Sequence, residues 1–289
     1  MDNMRGAGLM VLAMLGFALE DMFIKLLADT IGVGQILLML GIGGACVFAV
    51  VVLAQGRALF SRDMLTLPIL LRALGEMIGT LFFISAIVLT PLSSASAILQ
   101  ATPLVVTLGA ALFLAEPVGW RRWSAIIVGL MGVILIIRPG MESFELLSLL
   151  ALGAVFCLAL RDLATRRVPE TISSMQLSFL GFVVIIPSGL FMIWFTGTPV
   201  HNMPAGNWLY FVSALSIGLF AYYAIVAAMR VGDVSFVTPF RYARLLFALV
   251  IGVSVFGETP DAMTLLGAAI IVASGIYTVW RERRVKVIL

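Results

Sequence analysis

The sequence predicts an all-α membrane protein of ten transmembrane helices, arranged as two inverted five-helix repeats. Three observations carry this expectation. The 289 residues are 62% hydrophobic and 11% charged, with a mean hydropathy of +1.15, far from the balance of a soluble domain. Apolar runs long enough to cross a bilayer recur along the whole chain. Finally, the pattern of the first half returns in the second, with its loop charges moved to the opposite side.

Ten spans fit the apolar runs, at about 6–27, 35–54, 67–89, 92–114, 123–137, 146–163, 174–195, 208–229, 235–256 and 263–280. Turn residues separate them, among them Gly32, Gly34, Gly56, Pro91, Pro139 and Gly140. The first run is too long for a signal-peptide core and lacks a small-residue cleavage site, so it is expected to be retained. The fifth looks short, with room to lengthen towards Trp120. No connection is long enough for a soluble domain.

Lysine and arginine orient the chain. With the N-terminus inside, thirteen of the eighteen basic residues fall on the cytoplasmic side and two, Lys25 and Arg138, on the outside; Arg72, Arg241 and Arg244 lie within spans. That bias places both termini in the cytoplasm. All five tryptophans, at 120, 123, 194, 208 and 280, fall at span ends, where interfacial aromatic belts sit. The net charge of +3 reads as loop charge, because no basic run or aromatic-interleaved patch suggests a nucleic-acid partner. Cys46 and Cys157 are isolated within apolar runs and read as small buried hydrophobes.

The repeat can be followed residue by residue. Ser93–Pro117 returns as Ser235–Pro260, and a shift of 142 sets Ser93, Ser96 and Glu116 on Ser235, Thr238 and Glu258. A shift of 141 matches Asp21, Lys25, Thr30 and Gln35 with Asp162, Arg166, Thr171 and Gln176. A shift of 143 matches Ala125, Ile127 and Gly132 with Ala268, Ile270 and Gly275. Units of residues 1–140 and 141–289 follow. Five spans per unit force the second to begin on the opposite side from the first. Inverted repeats with a site between them suit alternating access.

Two motif copies, LAEPVGWRRWSAIIVGLMGVIL and FGETPDAMTLLGAAIIVASGIY, with the opening spans LGFALEDMFIKLL and LALRDLATRRV, resemble the EamA-type ten-span branch of the drug/metabolite transporter superfamily. The resemblance runs from about Gly6 to Trp280. It implies an inner-membrane secondary transporter exporting amino acids, aromatic or hydrophobic ones favoured, or similar small metabolites, through a cavity between the repeats. The ninth span departs from its partner: it carries Arg241, Tyr242 and Arg244 where the fourth carries Leu99, Gln100 and Thr102.

Several residues inside spans invite a chemical role. Arg244 lies near the middle of the ninth span, where an arginine costs about 2.5–3.5 kcal/mol on insertion scales and needs a partner or water. It could grip a substrate carboxylate or phosphate, or form a structural ion pair, with Glu76 the candidate partner. Arg72 and Glu76 are also spaced to pair along one helix. Gln100, Tyr242, Tyr223 and Phe83, with Arg244 and Glu76, form the expected substrate-binding set. Glu20 and Asp21 are candidate proton carriers; exposure at the outer mouth, or a pair with Lys25, would instead make them structural. Pro103 and Pro239 are expected gating kinks and Pro187 a third interruption, simple curvature being the other reading. Glu116 and Glu258 read as paired architectural acids. Small residues at Gly41, Gly44, Gly129, Gly132, Ala268 and Gly275 are expected to let helices approach closely.

No Walker A loop, HExxH or GxSxG occurs, and the sole histidine is His201. ATP drive and intramembrane catalysis are therefore not expected, and neither is a cofactor or metal. The expected partners are a small-molecule substrate and the lipid bilayer, with oligomeric state open. A nucleotide-sugar or phosphate-sugar carrier, and a receptor that moves no solute, stand as alternatives.

Overall fold

A computed structural model describes residues 2–113, 119–139, 146–169, 171–231 and 237–286. The described helices are α1 (Asp2–Leu27), α2 (Val33–Ala54), α3 (Leu67–Leu89), α4 (Leu92–Leu99), α5 (Thr102–Phe113), α6 (Trp120–Ile137), α7 (Ser148–Thr165), α8 (Ser174–Thr196), α9 (Ala205–Val231), α10 (Ala243–Phe256) and α11 (Ala262–Lys286). A 3-10 turn, Thr238–Tyr242, leads into α10. Helices close their own backbone hydrogen bonds, which is why an apolar chain in lipid takes this form. Among the described residues, eight segments are long and apolar enough to cross a membrane, Leu92–Phe113 counting as one, with shorter apolar helices at Trp123–Ile137 and Ala262–Thr278. α6 begins at Trp120, so the fifth span gains the length that the apolar run alone lacks.

The repeats interlock. α1 packs most extensively on α9 and α3 on α7, while α2 pairs with α8 and α6 with α11. An inverted two-fold relation that exchanges α1 with α7 and α3 with α9 accounts for all four pairings. Two matched glutamines obey it. Gln35, at the start of α2, accepts from His201 N (3.0 Å) and donates to His201 O (2.8 Å) in the second repeat. Gln176, near the start of α8, donates to Ala58 O (2.8 Å) in the first.

Glycines set the closest approaches. A Cβ on Gly132 would lie 2.8 Å from Gly267 O, and one on Gly267 would lie 2.7 Å from Gly132 O. Any side chain there would push α6 and α11 apart. Cys157 is partly buried, but Cys46 is exposed, so it does not pack inside as expected. The reason is its position on the outer face of α2, where apolar chains are solvated by lipid rather than buried.

The fourth span is not the continuous helix that its composition suggests. α4 stops at Leu99 and α5 starts at Thr102. Pro103 has no N–H to give the carbonyl of Leu99, and the Thr102 hydroxyl takes its place at 2.6 Å. Its counterpart is broken too, since the 3-10 turn holding Pro239 precedes α10. Pro187, by contrast, sits inside an unbroken α8.

Candidate functional site

The two broken helices meet. Gln100, at the end of α4, donates from Nε2 to the carbonyl of Arg241 at 3.1 Å. With the offset of 142, Gln100 and Tyr242 are counterparts, so this contact lies where the two repeats cross. The Tyr242 hydroxyl is buried without a hydrogen-bond partner among the described residues, as is that of Ser96. Tyr242 is 4% exposed, and its ring fills the space a side chain on Gly275 would need. Unpaired buried hydroxyls are uncommon in packed interiors and mark places with a further task.

Arg244 follows two residues later. Its Nη2 and Nε donate to Asp21 Oδ2 of α1 at 2.6 and 3.2 Å. Its guanidinium carbon lies 5.1 Å from the ring centre of Phe83 on α3 and 5.3 Å from that of Phe17 on α1. Asp21 is 3% exposed. Carboxylate and rings together hold the guanidinium in one orientation, a charged plate against aromatic faces.

Glu76, the partner expected for Arg244, is engaged elsewhere. It accepts from Arg161 Nη1 at 3.1 Å and lies 3.8 Å from Arg72. Arg161 also donates from Nε to Asp162 at 2.9 Å. The Arg72–Glu76 spacing does form a pair, within this second cluster of α3 and α7. Asp21 does not pair with Lys25 either. Tyr223 projects from α9 at 64% exposure and does not join the group around Arg244. Two groups result: Gln100 meets the 3-10 turn that carries Tyr242, and Arg244 meets Phe83, while Glu76 and Tyr223 join neither. Phe17 and the Asp21–Arg244 pairing went unforeseen. Phe17 stands one turn before Asp21, and that i, i+4 spacing on the face bearing the carboxylate was the available signal.

At the end of the bundle away from the termini, Glu258 ties three elements together. It accepts from the backbone of Leu92 and Ser93 and from the Ser93 hydroxyl (2.7 Å), at the start of α4. Lys25 approaches Glu258 to 3.5 Å and donates to Thr90 O at 2.6 Å. Gly257, at φ +63°, makes the left-handed turn that sends Glu258 back over the helix end. Arg138 bonds Asp261 nearby. These contacts tie the two repeats together at this end. Glu116, the counterpart of Glu258, lies outside the described residues.

The profile of the EamA-like transporter family matches residues 4–138 and 146–280. This chain belongs to that family. It is an integral membrane transporter of the drug/metabolite transporter superfamily, not an enzyme. A riboflavin transporter of Vibrio cholerae is 34% identical over 219 residues, covering 74% of this chain and 72% of the relative. An S-adenosylmethionine uptake transporter of Rickettsia bellii is 27% identical over 219 residues, covering 74% and 73%. A solved crystal structure superposes on this EamA-like transporter with a TM-score of 0.59 at 20% identity, over 95% of this chain and 98% of that one; it shows the fold alone.

Proposed function

We propose that this transporter carries a planar nitrogen heteroaromatic metabolite across the bacterial inner membrane, into the cell and by alternating access. The supporting observation is the Arg244 plate, oriented by Asp21 and flanked by Phe17 and Phe83. Such a surface suits a flat ring with polar edges, and the buried Tyr242 hydroxyl and Gln100 lie on the same broken-helix junction. Riboflavin and S-adenosylmethionine, named for the relatives, share that character: a nitrogen heterocycle with a hydroxylated arm. Amino-acid export, expected from the broader resemblance, has less support, because the relatives are named for riboflavin and S-adenosylmethionine rather than for amino acids. The repeats supply the mechanism. Glu258 ties the repeats at one end, and exchange of the halves' conformations would move that tie to the other end.

Counterflow in proteoliposomes tests this reading. Labelled riboflavin, S-adenosylmethionine and phenylalanine are offered to the wild type and to Arg244→Lys, which keeps the charge but loses the planar fork. Exchange of riboflavin or S-adenosylmethionine that falls at least tenfold in Arg244→Lys is expected. Exchange of phenylalanine alone would restore the amino-acid reading.

A further inference from the structure

The inverted repeat allows the two charged clusters to be compared position by position. A Cβ on Gly16 would meet Ala221, and one on Gly79 would meet Cys157. Position 16 therefore corresponds to 157 and position 79 to 221. The same offsets set Glu20 on Arg161 and Gly218 on Glu76. Around Arg161 the charges balance: Arg72 and Glu76 of α3 in the first repeat meet Arg161 and Asp162 of α7 in the second.

At the related place the balance fails. Asp21 takes Arg244, and Glu20 faces Gly218 of α9, where any side chain would collide with its carboxylate. Glu20 has no ion-pair partner within 4 Å among the described residues. Among the described residues, the elements against α1 bring no second cation to this place. α9 has a single charged residue, Arg230, about three turns from Gly218. α3 brings Phe83 to this region, and its Arg72 belongs to the other cluster. On the 3-10 turn Arg241 lies beside Tyr242, and Lys25 is committed to Glu258 and Thr90. Two carboxylates share one guanidinium, so the group carries one uncompensated negative charge inside a membrane span. Such a charge is costly there and marks proton or ion paths.

We propose that Glu20 is a proton-binding site and that each transport cycle carries one proton. A proton from the side away from the termini forms an O–H bond on the Glu20 carboxylate and renders the cluster neutral for the conformational exchange. It leaves to water on the other side, and no electrons move. The Asp21–Arg244 pair stays intact throughout, which separates the coupling group from the substrate plate. Gly218, lacking a side chain, leaves the space that the carboxyl occupies.

The test needs no substrate. Wild type and Glu20→Gln, each purified in detergent, are titrated with a pH indicator while the infrared carbonyl band of protonated carboxylic acids is followed. The expected result is a protonated-acid band in the wild type that disappears with one titrating proton in Glu20→Gln and returns in Glu20→Asp. Dicyclohexylcarbodiimide, which reacts with protonated carboxyls in apolar surroundings, should label wild-type Glu20 by peptide mass mapping, so the test survives if the variant fails to fold. Identical titrations of wild type and Glu20→Gln, or labelling that leaves Glu20 unmodified, would overturn the proposal. A proteoliposome assay with riboflavin adds a further reading: an inward proton gradient should drive accumulation in the wild type and not in Glu20→Gln. Failure to move riboflavin would bear on the substrate reading, with the titration still deciding the proton site.

Discussion

Breaking the Asp21–Arg244 pair one side at a time should cost more than removing both partners. Asp21 is almost fully enclosed and receives both bonds of the guanidinium on one oxygen, the shorter at 2.6 Å. Arg244→Met would leave its charge without a counterion, which costs about 3–5 kcal/mol for a buried pair. Asp21→Asn would strand the guanidinium, although Phe17 and Phe83 would keep about 0.5–2 kcal/mol of attraction for it. Asp21→Asn/Arg244→Met removes both charges and roughly preserves volume. Its loss should be near the ring contacts alone, about 1–2 kcal/mol. Equilibrium unfolding of the four proteins in mixed micelles gives the coupling directly. A coupling energy above about 2 kcal/mol is expected. Additive single and double losses would refute the pairing as a structural interaction.

Three further outcomes follow from the geometry. Glu258→Ala removes the cap on α4 and the partner of Lys25, so stability should fall by about 1–3 kcal/mol, and hydrogen exchange at the Leu92 and Ser93 amides should quicken while α6 stays unchanged. Tyr242→Phe deletes a buried hydroxyl without a partner; thermal stability should hold or rise, yet riboflavin affinity should weaken about tenfold if that hydroxyl meets substrate. Asp261, in the loop before α11, is held down to about 2, chiefly by its bond to Arg138 and then by Thr264. Its contribution should be complete above the ordinary carboxylate value near 3.8 and vanish as pH falls through about 2; an acid denaturation profile in which Asp261→Asn matches the wild type would contradict this.

Apolar run length fixed the spans in the sequence, because lipid demands helices of a set length. The repeat was equally legible: Gln35 and Gln176 matched by spacing, and each clamps a loop of the other half. The site was harder to read. Arg244 lies nearer mid-span than Asp21, and depth alone pointed to Glu76. An arginine side chain spans about 6 Å, or four residues of helical rise, so partners at unequal depth meet once the helices cross. Tyr223 shows the converse limit. An aromatic in mid-span can face lipid or protein, and α9 is too uniformly apolar for its periodicity to separate the two faces. Pro103 marked an interruption in the fourth span, but its full extent around Gln100 was not legible, because the Thr102 hydroxyl makes such a break tolerable.

Flavin fluorescence gives the most direct test of the substrate claim. Riboflavin is titrated with the purified transporter, and its quenching is followed for the wild type, Arg244→Lys and Phe83→Ala. Saturable quenching is expected in the wild type, weakened at least tenfold in both variants and reversed by excess S-adenosylmethionine rather than phenylalanine. Quenching equal in all three proteins, or displacement by phenylalanine alone, would contradict a ring-binding plate at Arg244.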